Sequence, residues 1–430
     1  MTQTLERIKT STELPESTSV VIIGGGIVGI SAALTLAERN IPVVLLEKGH
    51  IACEQSSRNL GWIRKTSRDA QDVPLAQAAD KLWQSMPERI GQSVGYKQSG
   101  IMFLANTTEQ MEVYENWIKS VDDLNLDSTL LSNEEIAKRV PNSSKKWAGA
   151  IYTASDGRAE PHIATPGLAK AALQRGAKIL QNTAVRCLMT SGGKVNGVIT
   201  EAGEIKCEQV ILAGGMGSRR FLGNMGINLP TLGLVCSVMR TTPIDGPTDI
   251  AVGASNFSFR KHQGGGYVIT QRGALKAPLV LDHLLIGYKY LEQLKHQRSF
   301  LRVSLGKEFL RDLALARRWQ ATSASPFERL RINNPPTVDG LNQEALAALR
   351  EAWPIFNQAN IDEAWAGLID VTPDSNPIID NIDTLPGLTL ATGFSGHGFG
   401  TGPAAGQLAA DIATGATPLV NNGPYKFSRL

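Results

Sequence analysis

The strongest hydrophobic pattern lies near the front of the chain. A short β-branched run at 19–23 breaks into Gly24-Gly25-Gly26-Ile27-Val28-Gly29, continues as good helix formers from 30 to 39, and returns as a second apolar run at 42–47 that ends on Glu47. Short apolar runs bounded by glycine or proline predict buried strands, and Asn40 with Pro42 closes the helix between them. Later pattern predicts one-face-polar helices over 72–140 interrupted by a hairpin at 96–104, a helix at 163–175, and a strand at 178–180. Beyond these come a strand at 183–189 and a hairpin of 194–200 with 205–213. Two strands at 257–261 and 266–270, a largely helical stretch at 281–320 and a strand at 326–331 follow. The last strand, 388–392, enters a loop with five glycines, and Pro403 is expected in the first turn of a helix at 404–414.

The first unit has the order that holds a dinucleotide. Gly24 permits the tight turn, Gly26 lets backbone approach a pyrophosphate, and Gly29 lets helix and strand pack closely. The helix N-terminus faces the phosphates, and Glu47 is placed to accept hydrogen bonds from a ribose. The strand at 210–213 also ends in small residues, Ala213 and Gly214, which let the chain pass close over a cofactor.

Composition narrows the picture. The chain has 430 residues, enough for two domains, and a formal charge of only +3, which gives no reason to expect a nucleic acid partner. Residues 1–18 do not read as a signal peptide, and no apolar stretch is long enough to span a membrane. The four cysteines lack CxxC spacing and fit reduced thiols in a cytoplasm; the six scattered histidines suggest no metal site. Lys289, Lys295, Arg298, Arg302, Lys307, Arg311, Arg317 and Arg318 outnumber the nearby acids and read as a solvated basic face rather than a membrane or partner surface. In the loop 48–64, hydroxyls and Arg58 suit a phosphate, while Asn59, Gly61 and Trp62 suit a flat ring.

Taken together, Gly24, Gly26, Gly29, Glu47, the Ser56-Ser57 loop and Gly396-His397-Gly398 resemble the D-amino-acid oxidase family, with its sarcosine and glycine oxidases, over nearly the whole chain. The resemblance implies an α/β fold, with a Rossmann-like FAD domain assembled from 1–75, 150–230 and 365–430. An α+β substrate domain with a mostly antiparallel sheet would come from 76–149 and 231–364. It places FAD along Gly24, Gly26, Ile27, Val28, Gly29, Glu47, Lys48, Ser56, Ser57, Arg58, Asn59 and Leu60, with Val185 at the adenine. Ala213, Gly214, Gly393, Gly396, Gly398, Phe399, Gly400 and Thr401 complete that set.

Departures from the family pattern shift the chemistry. Gly400 stands where sarcosine oxidases carry a substrate-binding lysine, and Gly367 where they attach flavin to cysteine, so noncovalent FAD is expected, with Cys53 the remaining candidate for attachment. Carboxylate binding then falls to an arginine: Arg64 first, then Arg260 and Arg331. His397 either polarises the substrate or fills its turn. The implied reaction is hydride transfer from an amine-bearing carbon, of a secondary amine or D-amino acid, to flavin N5, giving an imine that hydrolyses, with oxygen or another electron acceptor taking the electrons. The alternatives are a 2-hydroxy acid dehydrogenase on this fold and the flavin subunit of a multi-chain dehydrogenase.

Overall fold

The computed structural model describes residues 5–297 and 300–430, so Arg298 of the basic stretch lies outside the described residues. One sheet is assembled from strands far apart in sequence, in the spatial order Ile378–Asn381, Leu388–Thr392, Gln209–Leu212, Val20–Ile23, Val43–Leu46, Lys178–Leu180. All neighbours run parallel except the edge strand Ile378–Asn381. Parallel strands buried on both faces need apolar residues at every position, which is why Val20, Val21 and Ile22 are all buried. The helices Ile27–Glu38 and Gly398–Thr414 pack together on this sheet, and Ala404, Ala405 and Ala409, all fully buried, keep the approach close.

The second large sheet runs Leu301–Ser304, Leu275–Pro278, Leu232–Thr241, Tyr267–Thr270, Ser258–Lys261, Ala251–Gly253, Ile101–Ala105, Gly149–Thr153, Ser128–Leu131, with Ile361–Val371 also paired to Leu232–Thr241. Its pairs are antiparallel apart from Ala251–Gly253 with Ile101–Ala105 and Leu275–Pro278 with Leu301–Ser304. Phe257, Phe259, Tyr267, Trp353 and Phe356 form its aromatic core against the helix Asp339–Ala352. This is the mixed α/β architecture with a mostly antiparallel second sheet that the family resemblance implies.

Several elements differ from expectation for local reasons. The 96–104 hairpin does not form: Lys97–Gln98 pairs with Gly157–Arg158, whereas Ile101–Ala105 pairs with Gly149–Thr153. Gly100, at φ +74°, turns the chain from one sheet to another. The 326–331 strand is instead a helix, Pro326–Arg329, because Pro326 suits a first turn and Glu328 takes the Ser325 N–H at 2.7 Å. The last helix begins at Gly398, so Pro403 lies inside it. The 205–213 run divides into Glu204–Lys206 and Gln209–Leu212, in different sheets. The 281–320 stretch holds the helices Leu281–Ile286, Leu291–Gln297 and Lys307–Ala314 around the edge strand Leu301–Ser304.

Sheet membership also overruns the expected segment limits. Gly149–Thr153 and Ile361–Val371 are strands of the second large sheet, crossing the divisions at 149/150 and 364/365. The helix Val73–Gln84 packs against Gly398–Thr414, and its Leu75, Ala79 and Trp83 join the core around the parallel sheet. Among the described residues no helix is long and apolar enough to cross a membrane.

Candidate active site

The glycine turn has the geometry its spacing implies. Gly24 has φ +117°, and a Cβ there would stand 2.3 Å from the Ala213 carbonyl oxygen; a Cβ on Gly29 would stand 2.1 Å from that of Gly24. At Gly26 an added Cβ would meet only Ser56 Oγ, at 3.1 Å. Ser56 Oγ accepts the Ile27 N–H at 2.8 Å, while the N–H groups of Gly26, Val28 and Gly29 find no acceptor among the described residues. The first turn of the helix carries no acidic side chain. Free N–H groups at the positive end of a helix, beside a backbone with no Cβ, fit the pyrophosphate of FAD.

A long cavity runs from this turn between the two large sheets. Its wall combines Gly24 to Val28, Glu47, Lys48, Val185, Ala213 and Gly214 with Cys236, Val238 and Thr270 of the second sheet and Gly396, Gly398 and Phe399 before and within the last helix. Glu47 accepts the N–H groups of Gly25 and Gly49, both at 2.7 Å, and burial raises its pKa against the pull of Lys48. Lys48 Nζ is held by Glu54 Oε1 and the Arg331 carbonyl, at 2.7 and 2.6 Å.

The loop after Glu47 spends many of its polar groups on protein. Arg58 donates to the carbonyls of Asn333, at 2.7 Å, and Cys53, and to Asn334 Oδ1, so its donors brace the cavity wall rather than stand free for phosphate. Asn59 bonds the Gln55 and Ser56 carbonyls and takes the Gly61 N–H, which closes its own turn. Leu60 lines the cavity, whereas Ser57 is buried and bonds the Glu54 carbonyl at 3.4 Å. Gly400 packs against Trp62 and accepts Trp83 Nε1–H at 2.8 Å; Thr401 Oγ1 bonds the His397 carbonyl.

The arginines separate sharply. Arg260 is fully buried in a two-pronged pair with Glu160, at 2.7 and 2.8 Å, and also donates to the Leu60 carbonyl; it has no free edge for a substrate. Arg331 lines the cavity beside Lys48 but is committed to Glu201, at 2.8 Å, and to the Lys48 carbonyl. Neither is placed as the sequence suggests for a carboxylate ligand. Glu160 is also near His162 and His262, with potential ligand atoms within 4.8 Å, but its charge already answers Arg260.

Arg64 is different. Asp156, fully buried, takes the N–H groups of Lys65 and Thr66 at 2.8 and 3.2 Å and so fixes the backbone just beyond it. Arg64 Nη1 donates to the Thr66 carbonyl at 2.5 Å, and Nη2 lies 3.0 Å from His397 Nε2. His397 is held far below its ordinary pKa by burial and by Arg68 and Arg64, so its ring is neutral. A neutral ring facing an arginine must accept at Nε2, which puts its proton on Nδ1. His397 sits between Gly396 and Gly398, two residues of the cavity wall, and its contact with Arg64 lies beside that end.

Arg272 carries no signal in the sequence pattern. Its guanidinium lies 3.9 Å from the centre of the Phe103 ring and that of Arg64 lies 5.6 Å from it. Among the described residues neither arginine has a carboxylate within ion-pair distance, and burial, Arg68 and Arg272 push Arg64 down to about 9. Asp370 likewise carries no such signal: it lines the cavity fully buried, with Oδ2 taking the Gly393 N–H at 2.8 Å and Gln55 and Thr392 nearby. A lone arginine after a strand and an aspartate inside one carry no spacing signal.

Dinucleotide turn, discontinuous parallel sheet and a cavity closed by a second sheet define a flavin-type oxidoreductase. The family model described as FAD dependent oxidoreductase matches residues 19–412, and the chain belongs to that family, with FAD as cofactor. The chain is 22% identical over 433 aligned residues to sarcosine oxidase subunit beta of Rhodobacter capsulatus, covering 98% of this chain and 91% of that protein. The structure of L-amino acid deaminase from Proteus myxofaciens, in complex with anthranilate, superposes with a TM-score of 0.96 at 32% identity, covering 100% of this chain and 97% of that one. L-proline dehydrogenase from P. horikoshii superposes with a TM-score of 0.78 at 27% identity, covering 97% and 99%. The protein is an FAD-dependent amine or amino-acid oxidoreductase.

Proposed function

We propose that the enzyme oxidises an α-amino acid whose carboxylate is gripped by Arg64 and Arg272. The observation that carries this reading is that both guanidiniums lie against the Phe103 ring while, among the described residues, neither has a carboxylate in ion-pair range. The charge of Arg272 helps depress the pKa of Arg64, and an anion is what relieves that cost. Charge-assisted, two-pronged bonding then fixes the substrate's orientation. Similarity to an L-amino acid deaminase supports a primary L-α-amino acid, ahead of the secondary amine or D-amino acid that the sequence pattern suggests.

Bound FAD supplies a hydride acceptor at N5. The protein's own work is positional. Gly26, Val28 and Gly29 would offer N–H groups to the pyrophosphate, and Glu47 would accept from the ribose. His397 holds Arg64 from behind, and the Gly398–Thr414 helix presents its positive end to the cavity, worth about 0.3 to 1 kcal/mol toward negative charge gathering there. The imine product hydrolyses in water. Noncovalent binding of FAD is supported by Gly367 in the wall, which offers no nucleophile, and by Cys53, whose thiol is pushed up by burial and Glu47 away from thiolate. Four free thiols support a reducing, cytoplasmic setting.

The test is anaerobic mixing of the yellow holoenzyme with L- and D-amino acids, N-methyl amino acids, the matching decarboxylated amines and 2-hydroxy acids. Bleaching by an amino acid but not by its decarboxylated amine is the expected result. Bleaching only by 2-hydroxy acids replaces the substrate class. Similarity to a subunit named beta favours one second reading, a flavin chain that needs partners, and turnover by the purified single chain with an artificial acceptor excludes it.

A further inference from the structure

The short strand that leads into Arg64 stops one residue before it. Trp62 and Ile63 pair with Arg158 and Gly157, and the next pair along would set Arg64 opposite Asp156. There the Asp156 carboxylate takes over from the backbone ladder. Its Oδ1 accepts the Lys65 N–H at 2.8 Å, and its Oδ2 accepts the Thr66 N–H at 3.2 Å together with the Thr66 hydroxyl. One carboxylate holding two successive N–H groups fixes the peptides on both sides of Lys65.

That carboxylate is itself braced. Asp156, Thr66 and Thr153 are fully buried, and Lys65 and Asp80 nearly so. An ionised carboxylate only accepts, so the Thr66 hydroxyl spends its proton on Asp156. Thr153 Oγ1, 2.7 Å from Thr66 Oγ1, must then donate to it, and Ser128 Oγ, 2.6 Å from Thr153, must donate in turn. This directed chain ties the turn to the strands Ser128–Leu131 and Gly149–Thr153 of the second sheet. Lys65 Nζ is shared between Asp80 and Asp156, at 2.7 and 3.3 Å, and Tyr96 Oη donates to Asp80 at 3.0 Å. A buried network with its donors and acceptors matched is rigid. The turn it holds is not one the chain adopts freely: Ser67 stands at φ +55°, a region that residues other than glycine keep only where their surroundings over-determine it.

We propose that Asp156 is a positioning residue for substrate binding, which sets the Lys65–Thr66 backbone so that the Thr66 carbonyl aims the Arg64 guanidinium at the substrate carboxylate. The inference rests on the reading of Arg64 as a carboxylate ligand. Its path runs from the Asp156 carboxylate to the Thr66 N–H, through that residue to its carbonyl, and from the carbonyl to Arg64 Nη1 at 2.5 Å. His397 meets only the other nitrogen, Nη2. Arginine has a long stem with many rotamers, and a two-pronged bond to a carboxylate depends on the plane of the guanidinium. Both nitrogens must therefore be held for the plane to be fixed, and the hold on Nη1 is only as firm as the turn that carries the Thr66 carbonyl.

The test is titration of the full-length holoenzyme with benzoate, a carboxylate with no amine to oxidise, read by the shift of the flavin band. The proteins compared are wild type, Arg64→Ala, Asp156→Asn and the double variant. Asparagine keeps the size of Asp156 but carries one acceptor oxygen where Asp156 uses two. Asp156→Asn is expected to weaken benzoate binding about tenfold at unchanged FAD content. In the Arg64→Ala background the same change is expected to add nothing, because it acts through that arginine. A merely structural role would weaken binding alike in both backgrounds. Thr66→Val removes only the hydroxyl link and, should Asp156→Asn not fold, is expected to give the same pattern at about threefold. Wild-type affinity in the Asp156 variant, or losses that multiply in the double variant, overturns the proposal and leaves the carboxylate site standing. Arg64→Ala that binds benzoate as tightly as wild type overturns both.

Discussion

Arg64 and Arg272 both lie against the Phe103 ring, yet they are held differently. Arg64 is fixed at both nitrogens by Thr66 and His397, whereas Arg272 has a long bond to the Ala254 carbonyl, 3.3 Å, and the Tyr114 hydroxyl beside it, besides its contact with Phe103. Removing either should weaken carboxylate binding without removing FAD. Arg272→Ala and Arg64→Ala are each expected to raise KM by about tenfold or more at unchanged flavin content. Arg260→Ala should behave in another way, losing stability through the Glu160 left buried and unpaired. Equal KM for all three variants would leave the anion site without a role. In sequence these arginines look alike. What separates them is which oxygens the fold brings within reach, and that is a property of contacts distant along the chain.

Asp370 makes a second prediction at the same scale. Burial pushes its carboxyl up to about 6 from 3.8, against the lowering effect of the Gly393 N–H. A folded-state pKa above the unfolded one means the folded protein holds this proton more tightly. The stability it contributes is complete below about pH 3.8 and lost as pH rises through about 6. The loss is on the order of 3 kcal/mol. Urea unfolding of the apoprotein at pH 4 and pH 7 should show this loss in the wild type and lack it in Asp370→Asn. A parallel pH dependence in the two proteins would remove Asp370 as its source.

At the scale of elements, the strand, turn, helix and strand at the front were legible because every requirement is local. Gly29 meets Gly24, and Glu47 meets Gly25 and Gly49, within one βαβ unit, so spacing alone places them. The glycines also differ in what they do. Gly29→Ala puts a Cβ 2.1 Å from backbone, which only a shift of helix against strand relieves, and should destabilise apoprotein and holoprotein alike. Gly26→Ala meets only a serine hydroxyl at 3.1 Å and should fold with an unchanged apoprotein melting temperature while losing FAD. Flavin absorbance after gel filtration, beside thermal melts, reads both effects. By contrast, the hairpin at 96–104 and the strand at 326–331 were misread because Gly100 and Pro326 act through sheet choice and helix capping. Apolar alternation does not report either.

At the scale of the whole molecule, the cavity is the place where the separated segments meet. Its wall takes residues from the first βαβ unit, from 212–217, from the strands holding Cys236 and Thr270, from Gly367 to Asp370 and from the start of the last helix. Each large sheet has its own core, one around Ile22 and Leu45 and another around Phe259 and Trp353. A cofactor seated between them therefore adds contacts that neither core supplies, and binding to the folded state alone raises stability by mass action. FAD at about one hundred times its Kd should stabilise the apoprotein by about 2.7 kcal/mol, seen as a melting temperature that climbs with FAD concentration. Riboflavin, which lacks the pyrophosphate, should give much less, because the N–H groups at the Ile27–Glu38 helix would stay unbonded. A rise with riboflavin equal to that with FAD would place the binding energy in the ring alone and leave the glycine turn without its assigned part. A rise with FAD that vanishes in Gly26→Ala would tie the cofactor's hold to the turn and join the element scale to the molecular one.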